Sequence, residues 1–203
     1  QSELFPILSP QIVDNRHPFP FLRNKEIYLG VLLKEKHTQE QSLGIVPISS
    51  QMERLHFIKK DGAVQFALTE ELVLHYASNI FGKDSIQEKC LFRVTRNADI
   101  DPDGEGVEEE EDYRQHMKRI LKKRLRLQPV VLAVSGSLEK ATLKTIRKAL
   151  ELSRRSVFTC DIPLNLGYVF GIEGKIPEHL RNELLFTPFK PQPNPTIDMT
   201  RSI

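Results

Sequence analysis

The chain has 203 residues, 39% of them hydrophobic, and a formal net charge of +2, enough apolar material for one soluble globular domain with a buried core. So small a basic excess argues against a dedicated nucleic-acid binder, although local basic patches can still hold a polyanion. The longest apolar run, IYLGVLL, is too short to span a bilayer, and no signal peptide is read.

The first distinctive stretch is VDNRHPFPFL, residues 13–22. Pro18 and Pro20 fix their own backbone angles and push the residues before them toward extended conformations. Arg16 to Leu22 is therefore predicted to be a stiff loop, neither helix nor central strand. Such a loop presents charge with little ordering entropy to lose; equally, it can be a surface turn whose Phe19 and Phe21 plug into the core. KEIYLGVLLK (25–34) follows, apolar on both faces, and reads as a central strand. After the polar break HTQEQS come two more strands, GIVPIS (44–49) and RLHFIKK (54–60). The second turns at Asp61-Gly62 into AVQFAL, which makes a hairpin.

Thr69 is predicted to cap a helix opening with Glu70 and Glu71, whose charges suit the positive end of the helix dipole. Leu72, Val73, Tyr76, Ile80 and Phe81 give its apolar face and Gly82 ends it. KCLFRVTR (89–96) returns to strand, and ADIDPDGEG to loop. Residues 107–127 place Tyr113, Met117, Ile120, Leu121 and Leu125 near helical spacing, acids first and bases last, and predict a long helix. PVVLAV (129–134) is a buried strand that SGS turns into the helix LEKATLKTIRKALEL. SVFTCDI is the last strand, and short helical pieces lie around NLGYVF and PEHLRNELL. TPFKPQPNPTIDMTRSI, with four prolines and little apolar periodicity, is predicted to be an extended linker. Cys90 and Cys160 sit in apolar strand contexts and read as reduced core thiols of a cytosolic protein. No internal repeat is present.

Four stretches invite a chemical reading. DPDGEGVEEEED (101–112) approaches a calcium loop, with acids at its first, third and fifth places, Gly106 at the sixth and Asp112 at the twelfth. A strand before it where a helix is required, Pro102 and the charged Glu108 at the eighth place favour an acid-rich helix start instead. KRILKKRLR (118–126) carries six bases, either a polyanion patch or a solvated face paired at four-residue spacing with the preceding acids, the second being preferred. The backbone N–H groups of Ser137, Leu138 and Glu139 could hold phosphate at a helix start, or Ser137 can be an ordinary cap. GIEGK, ending at Lys175, lacks the spacing and hydroxyl of a phosphate-cradling P-loop. The six histidines show no metal-ligand spacing, and no complete catalytic set is visible.

Beyond these, FPILSPQIVDNRHPFPFLRNKEIYLGVLLKEK closely resembles the start of the middle, or head, domain of the polyphosphate kinases that work through a phosphorylated histidine. FRVTRNADI, an acidic stretch and LKKRLRLQPVVLAV are similar to that family's next signature, in the same order, and FTPFKP resembles the exit from the domain. The resemblance runs from Leu4 to about Pro191. The predicted elements give an α+β fold, with a mixed, largely antiparallel sheet of five or six strands and packed helices. The resemblance implies likeness to the phosphohistidine-phosphatase type of fold. The implied organisation is an irregular lead-in segment (1–24), the middle domain (25–188) and an extended linker (189–203) toward an absent catalytic domain.

The resemblance also implies a function for the parent protein, a large cytoplasmic enzyme that reversibly moves the terminal phosphate of ATP onto inorganic polyphosphate with magnesium. Such enzymes join a helical amino-terminal domain, this domain and two carboxy-terminal domains similar to phospholipase D. The phosphorylated histidine belongs to the first of those two, in a lysine- and histidine-containing motif with no match here. None of His17, His37, His56, His75, His116 or His179 should inherit that role, and ATP and magnesium are not expected on this chain alone. The implied partners are the other domains of the same enzyme, a second copy in a dimer, and polyphosphate, with no nucleic acid and no membrane span. No catalytic or metal-binding residue is expected. Candidates for polyphosphate contact are Arg16, His17 and Arg23 in the stiff loop, and Arg93 and Arg96 in the second signature. Arg93 and Arg96, three apart on a strand, should point to opposite faces, and purely structural roles are the alternative for all five. The rival function is a free-standing polyanion-binding or protein-interaction module without enzymatic activity.

Overall fold

The computed structural model describes residues 7–35, 39–60, 63–82, 86–97, 127–136, 140–187 and 189–190, together with Arg114, Gln115 and Lys118. The chain divides into two compact units, Gln1–Tyr168 and Val169–Ile203. The first unit contains the strands β1 (Gln11–Val13), β2 (Ile27–Lys34), β3 (Gln41–Ile48), β4 (Leu55–Lys60), β5 (Ala63–Leu68), β6 (Ile86–Arg96), β7 (Pro129–Ser135) and β8 (Val157–Cys160). Its helices are α1 (Thr69–His75), α2 (Ala77–Phe81) and α3 (Lys140–Ala149). The second unit holds α4 (Val169–Ile172) and α5 (Glu178–Leu184), with Arg181 donating to Glu173 Oε1 at 3.2 Å.

Six strands form one sheet in the order β1-β3-β2-β6-β7-β8, and β4 and β5 pair separately as a ribbon. Every neighbour is antiparallel except β7 and β8, whose parallel pairing follows from the intervening α3. This is the mixed, largely antiparallel α+β architecture that the sequence predicts. The strand β1 is an addition to the expected elements, and pairs Ile12 with Gly44 at the sheet edge.

Both faces of the sheet are covered, which explains why IYLGVLL reads as a continuous apolar run rather than an alternation. On one face Tyr28, Ile45, Phe92, Val94, Leu132 and Val134 pack against Ile146 and Leu150 of α3 and just beyond it, and against Leu22. On the other, Leu29, Val31, Val46 and Leu91 pack against Val73 and Ala77 of the α1–α2 pair, and against Leu164. Each of the fully buried valine, leucine, isoleucine and phenylalanine side chains among these stabilises the fold by roughly 1.5–3 kcal/mol. Two glycines permit the closest approaches. A Cβ on Gly30 would stand 2.9 Å from the Phe92 ring, and one on Gly44 would stand 2.7 Å from the Phe81 ring.

Several local expectations change. Thr69 does not cap α1 but is its first residue, because its hydroxyl donates to Glu53 O at 2.5 Å and meets His56 Nε2 at 2.7 Å. The expected single helix breaks at Tyr76, whose φ of −91° and ψ of 15° leave the helical region. Gly82 ends α2 as expected, at φ 84°, where a left-handed conformation favours glycine. Phe19 is partly buried and packs against the core as expected, but Phe21 is 56% exposed, and its neighbour Leu22, at 1%, enters the core instead. The Asp61-Gly62 turn, the 101–112 acidic loop, the 137–139 helix start and all but two residues of the 189–203 linker lie outside the described residues. Of the 107–127 helix and its basic run, Arg114, Gln115, Lys118 and Leu127 are described, the first three of them helical.

Candidate functional site

The stiff loop begins with a turn built on one carboxylate. Asp14 Oδ1 accepts the backbone N–H groups of Arg16 and His17, each at 2.8 Å, and lies 2.9 Å from His17 Nδ1. Those backbone bonds, the Arg16 one first, hold the Asp14 carboxyl below its ordinary range. The result is a small platform presenting Arg16 and His17 to solvent, with the His17 side chain 66% exposed.

A few residues on, the same segment is fastened down. Arg96 Nε donates to Leu22 O at 2.9 Å and its Nη1 to Leu127 O at 2.8 Å, while its backbone N–H donates to Asn24 Oδ1 at 2.9 Å. Its guanidinium also lies 4.3 Å from the centre of the Phe21 ring. From the opposite face Arg93 Nε donates to Lys25 O at 3.1 Å, and its Nη1 to Leu164 O at 2.8 Å. Lys25, whose φ is 61°, is secured by its own N–H donating to Val94 O at 2.8 Å. The two signature arginines thus do take opposite faces, and together they hold residues 22–25 against β6. Burial, then repulsion from Arg54, lowers the Arg93 pKa; burial lowers that of Arg96.

Arg23 stands between these regions. Its backbone N–H donates to Tyr28 Oη at 2.7 Å, and that hydroxyl donates to Glu26 Oε2 at 2.9 Å. Burial above all pushes the Tyr28 hydroxyl pKa up, so it stays a neutral donor. The Arg23 side chain is exposed and lines a groove of about 320 Å³ with Pro20, Tyr28 and Pro47. Arg16 and His17 therefore share one turn, Arg23 faces a separate groove, and Arg93 and Arg96 serve as clamps.

The sequence reading missed a buried ion pair. Arg54 Nε donates to Glu70 Oε1 at 3.0 Å and its Nη2 to Glu70 Oε1 and, at 2.6 Å, to Asn165 O. The Glu70 side chain is 2% exposed, and Arg54 also lies 5.5 Å from the centre of the Tyr168 ring. Locally Glu70 reads as a helix-dipole acid, and no short-range pattern joins it to Arg54, sixteen residues away. Among the described residues no group of three or more His, Cys, Asp and Glu is placed to hold a metal ion. Cys90 is buried, which pushes its thiol up to about 12. Among the described residues no helix is long and apolar enough to cross a membrane.

Comparison with known proteins bears on this arrangement. The family described as polyphosphate kinase middle domain matches residues 1–172, spanning the turn, both clamps and the buried pair. The chain belongs to this family. A polyphosphate kinase of Halalkalibacterium halodurans is 32% identical over 196 residues, covering 94% of this chain and 27% of that protein. One from Bacillus anthracis is also 32% identical, over 199 residues, covering 94% and 28%. The crystal structure of polyphosphate kinase from Porphyromonas gingivalis has the same fold, with a TM-score of 0.65 at 17% identity, over 94% of this chain and 26% of that one. This middle domain thus spans little more than a quarter of the curated relatives it matches.

Proposed function

We propose that this middle domain works within an enzyme that reversibly transfers the terminal phosphate of ATP to inorganic polyphosphate, with magnesium, in the cytoplasm. Within it the domain is a scaffold. It supports contacts to the other domains and to a second copy, and presents Arg16, His17 and Arg23 toward the polyphosphate path. Phosphoryl transfer through histidine needs an imidazole, cations and a metal converging on one pocket, and that machinery belongs to the domains beyond this one. The observation that carries the scaffold reading is the use of Arg93 and Arg96. Their guanidinium groups donate to backbone carbonyls of residues 22, 25, 127 and 164, so they hold the lead-in segment in place rather than reach outward. Uncovered aromatic surface in the FTPFKP stretch, with Phe186 99% and Phe189 87% exposed, supports contact with further protein.

The test places Arg16→Ala and His17→Ala in a full-length enzyme containing this domain. The expected result is a severalfold higher KM for polyphosphate, a shallower salt dependence and little change in kcat. An unchanged KM with an unchanged salt slope removes these residues from the path. Incubating the 203-residue chain alone with ATP and magnesium should leave no phosphohistidine, and a labelled histidine on it would refute the scaffold reading.

A further inference from the structure

The six-stranded sheet ends at β8, and among the described residues no further strand pairs with its outer edge. Such an edge offers backbone N–H and C=O groups to any extended chain. Along β8 runs a groove of about 450 Å³, with Leu143, Lys144 and Arg147 of α3 on one wall and Arg154, Val157 and Thr159 on the other. An edge strand beside a helix is a setting in which an added strand gains ladder bonds and side-chain pockets together.

The two sides of β8 differ in chemistry. Val157 packs with Leu143 and Ile146 in the cluster beneath α3, so Val157 and, two positions on, Thr159 face the groove. Phe158 stands on the opposite face beside Ala133 and is 56% exposed. On the groove side Lys144, Arg147 and Arg154 bring three cations, and no carboxylate lines the groove. Arg147 is held in advance, its Nη1 donating to Leu152 O at 2.6 Å, which reduces the ordering loss on binding. We propose that β8 and this groove take up an extended segment of another protein as a further strand, one whose side chains alternate between acidic and apolar. Successive side chains of a strand point to opposite faces, so the acids of that segment meet Lys144, Arg147 and Arg154 while its apolar groups cover Phe158. Arginine forks suit carboxylates. The strand β8 has four residues, Val157–Cys160, so the ladder is short and the alternation supplies the selectivity. Pairing along a strand edge requires a polypeptide backbone, which sets this surface apart from the polyphosphate path.

Fluorescence anisotropy tests it, with a short labelled peptide alternating glutamate and valine titrated with a full-length enzyme containing this domain. The groove variant Lys144→Ala/Arg154→Ala removes two exposed cations and should weaken binding about tenfold, and Phe158→Ala about threefold. The charge control Lys118→Ala/Lys190→Ala, two exposed lysines outside the groove, should bind like the unsubstituted enzyme, with unchanged melting curves as the check on folding. The same peptide with its backbone nitrogens methylated keeps every side-chain charge but loses the ladder donors, and should bind about tenfold more weakly. Equal binding of the two peptides would mean that the groove reads charge alone, as it would in any polyanion, and the proposal fails. It fails too if the control loses as much as the groove variant, if the groove variant is unchanged, or if the enzyme does not bind the peptide. None of these outcomes bears on the KM test of Arg16 and His17, so the two readings stand or fall separately.

Discussion

Residues 13–17 and 22–25 lie a few positions apart in one proline-stiffened stretch, yet they handle charge in opposite ways. In the first, a carboxylate folds the backbone around itself and leaves Arg16 and His17 facing water. In the second, backbone carbonyls and an Asn side chain accept from two arginines of β6, and the chain is locked to the sheet from both faces. The difference teaches that basic residues within a family signature need not share a task. A guanidinium with its donors on carbonyls is a fastener, whereas one held on an exposed turn is available to a ligand.

The largest effect should come from the arginine that neutralises a buried charge. Removing the Arg54 side chain leaves the Glu70 carboxylate, 2% exposed, without its cation, and Arg54→Ala should lose about 3 kcal/mol of stability in denaturant unfolding. Arg96→Ala comes next. It leaves Leu22 O and Leu127 O without their donor in a region where Arg96 is only 7% exposed, and should cost about 2 kcal/mol. Arg96→Lys should recover little, since one ammonium cannot reproduce the planar fork that spans the two carbonyls. A loss of under about 0.5 kcal/mol for Arg96→Ala would erase the distinction between fastened and presented cations.

On the presenting side the stability effect should nearly vanish. Arg16→Ala/Arg23→Ala removes exposed side chains and should shift unfolding by no more than about 0.5 kcal/mol. A large loss would show that these residues, too, fasten the segment.

The contrast also explains what the sequence could and could not reveal. Strands β2, β3, β6 and β7 are legible because apolar runs and turn residues are local, and Gly82 is legible because its backbone angle is. The hairpin of β4 and β5 follows from the Asp61-Gly62 signal between two strand patterns. The fasteners were not legible. Arg96 reaches Leu22 across 74 positions and Arg54 reaches Glu70 across 16, and no periodicity encodes such pairs. Phe19 packs against the core as its sequence context suggests, whereas the choice of Leu22 over Phe21 as the second anchor has the same origin as the fasteners. Size favours the phenyl ring, but Phe21 takes its place against the Arg96 guanidinium, and the smaller neighbour enters the core. Thr69 shows the converse failure, since its cap signal is sound in isolation but Glu53 and His56 claim the hydroxyl.

The smallest expected effect is the pH response of the presenting turn. Asp14 is held in its ionised form mainly by the Arg16 and His17 backbone N–H groups, so its folded pKa lies below the unfolded one. The sign follows from that order. Above the unfolded value both states are ionised and the turn has its full advantage; as pH falls through the folded value the carboxylate takes a proton and weakens as an acceptor. The turn should therefore loosen only in acid, with no change across the neutral range from this group. A carboxyl-detected NMR titration should place the Asp14 midpoint below the usual aspartate range, with the Arg16 and His17 amide signals moving over the same interval. Asp14→Asn keeps an acceptor oxygen but removes the charge, so it should abolish that titration while the fastened residues 22–25 stay unperturbed. If the amides of residues 22–25 moved together with those of 16 and 17, the two halves of the segment would be one cooperative unit, and the contrast between them would fail.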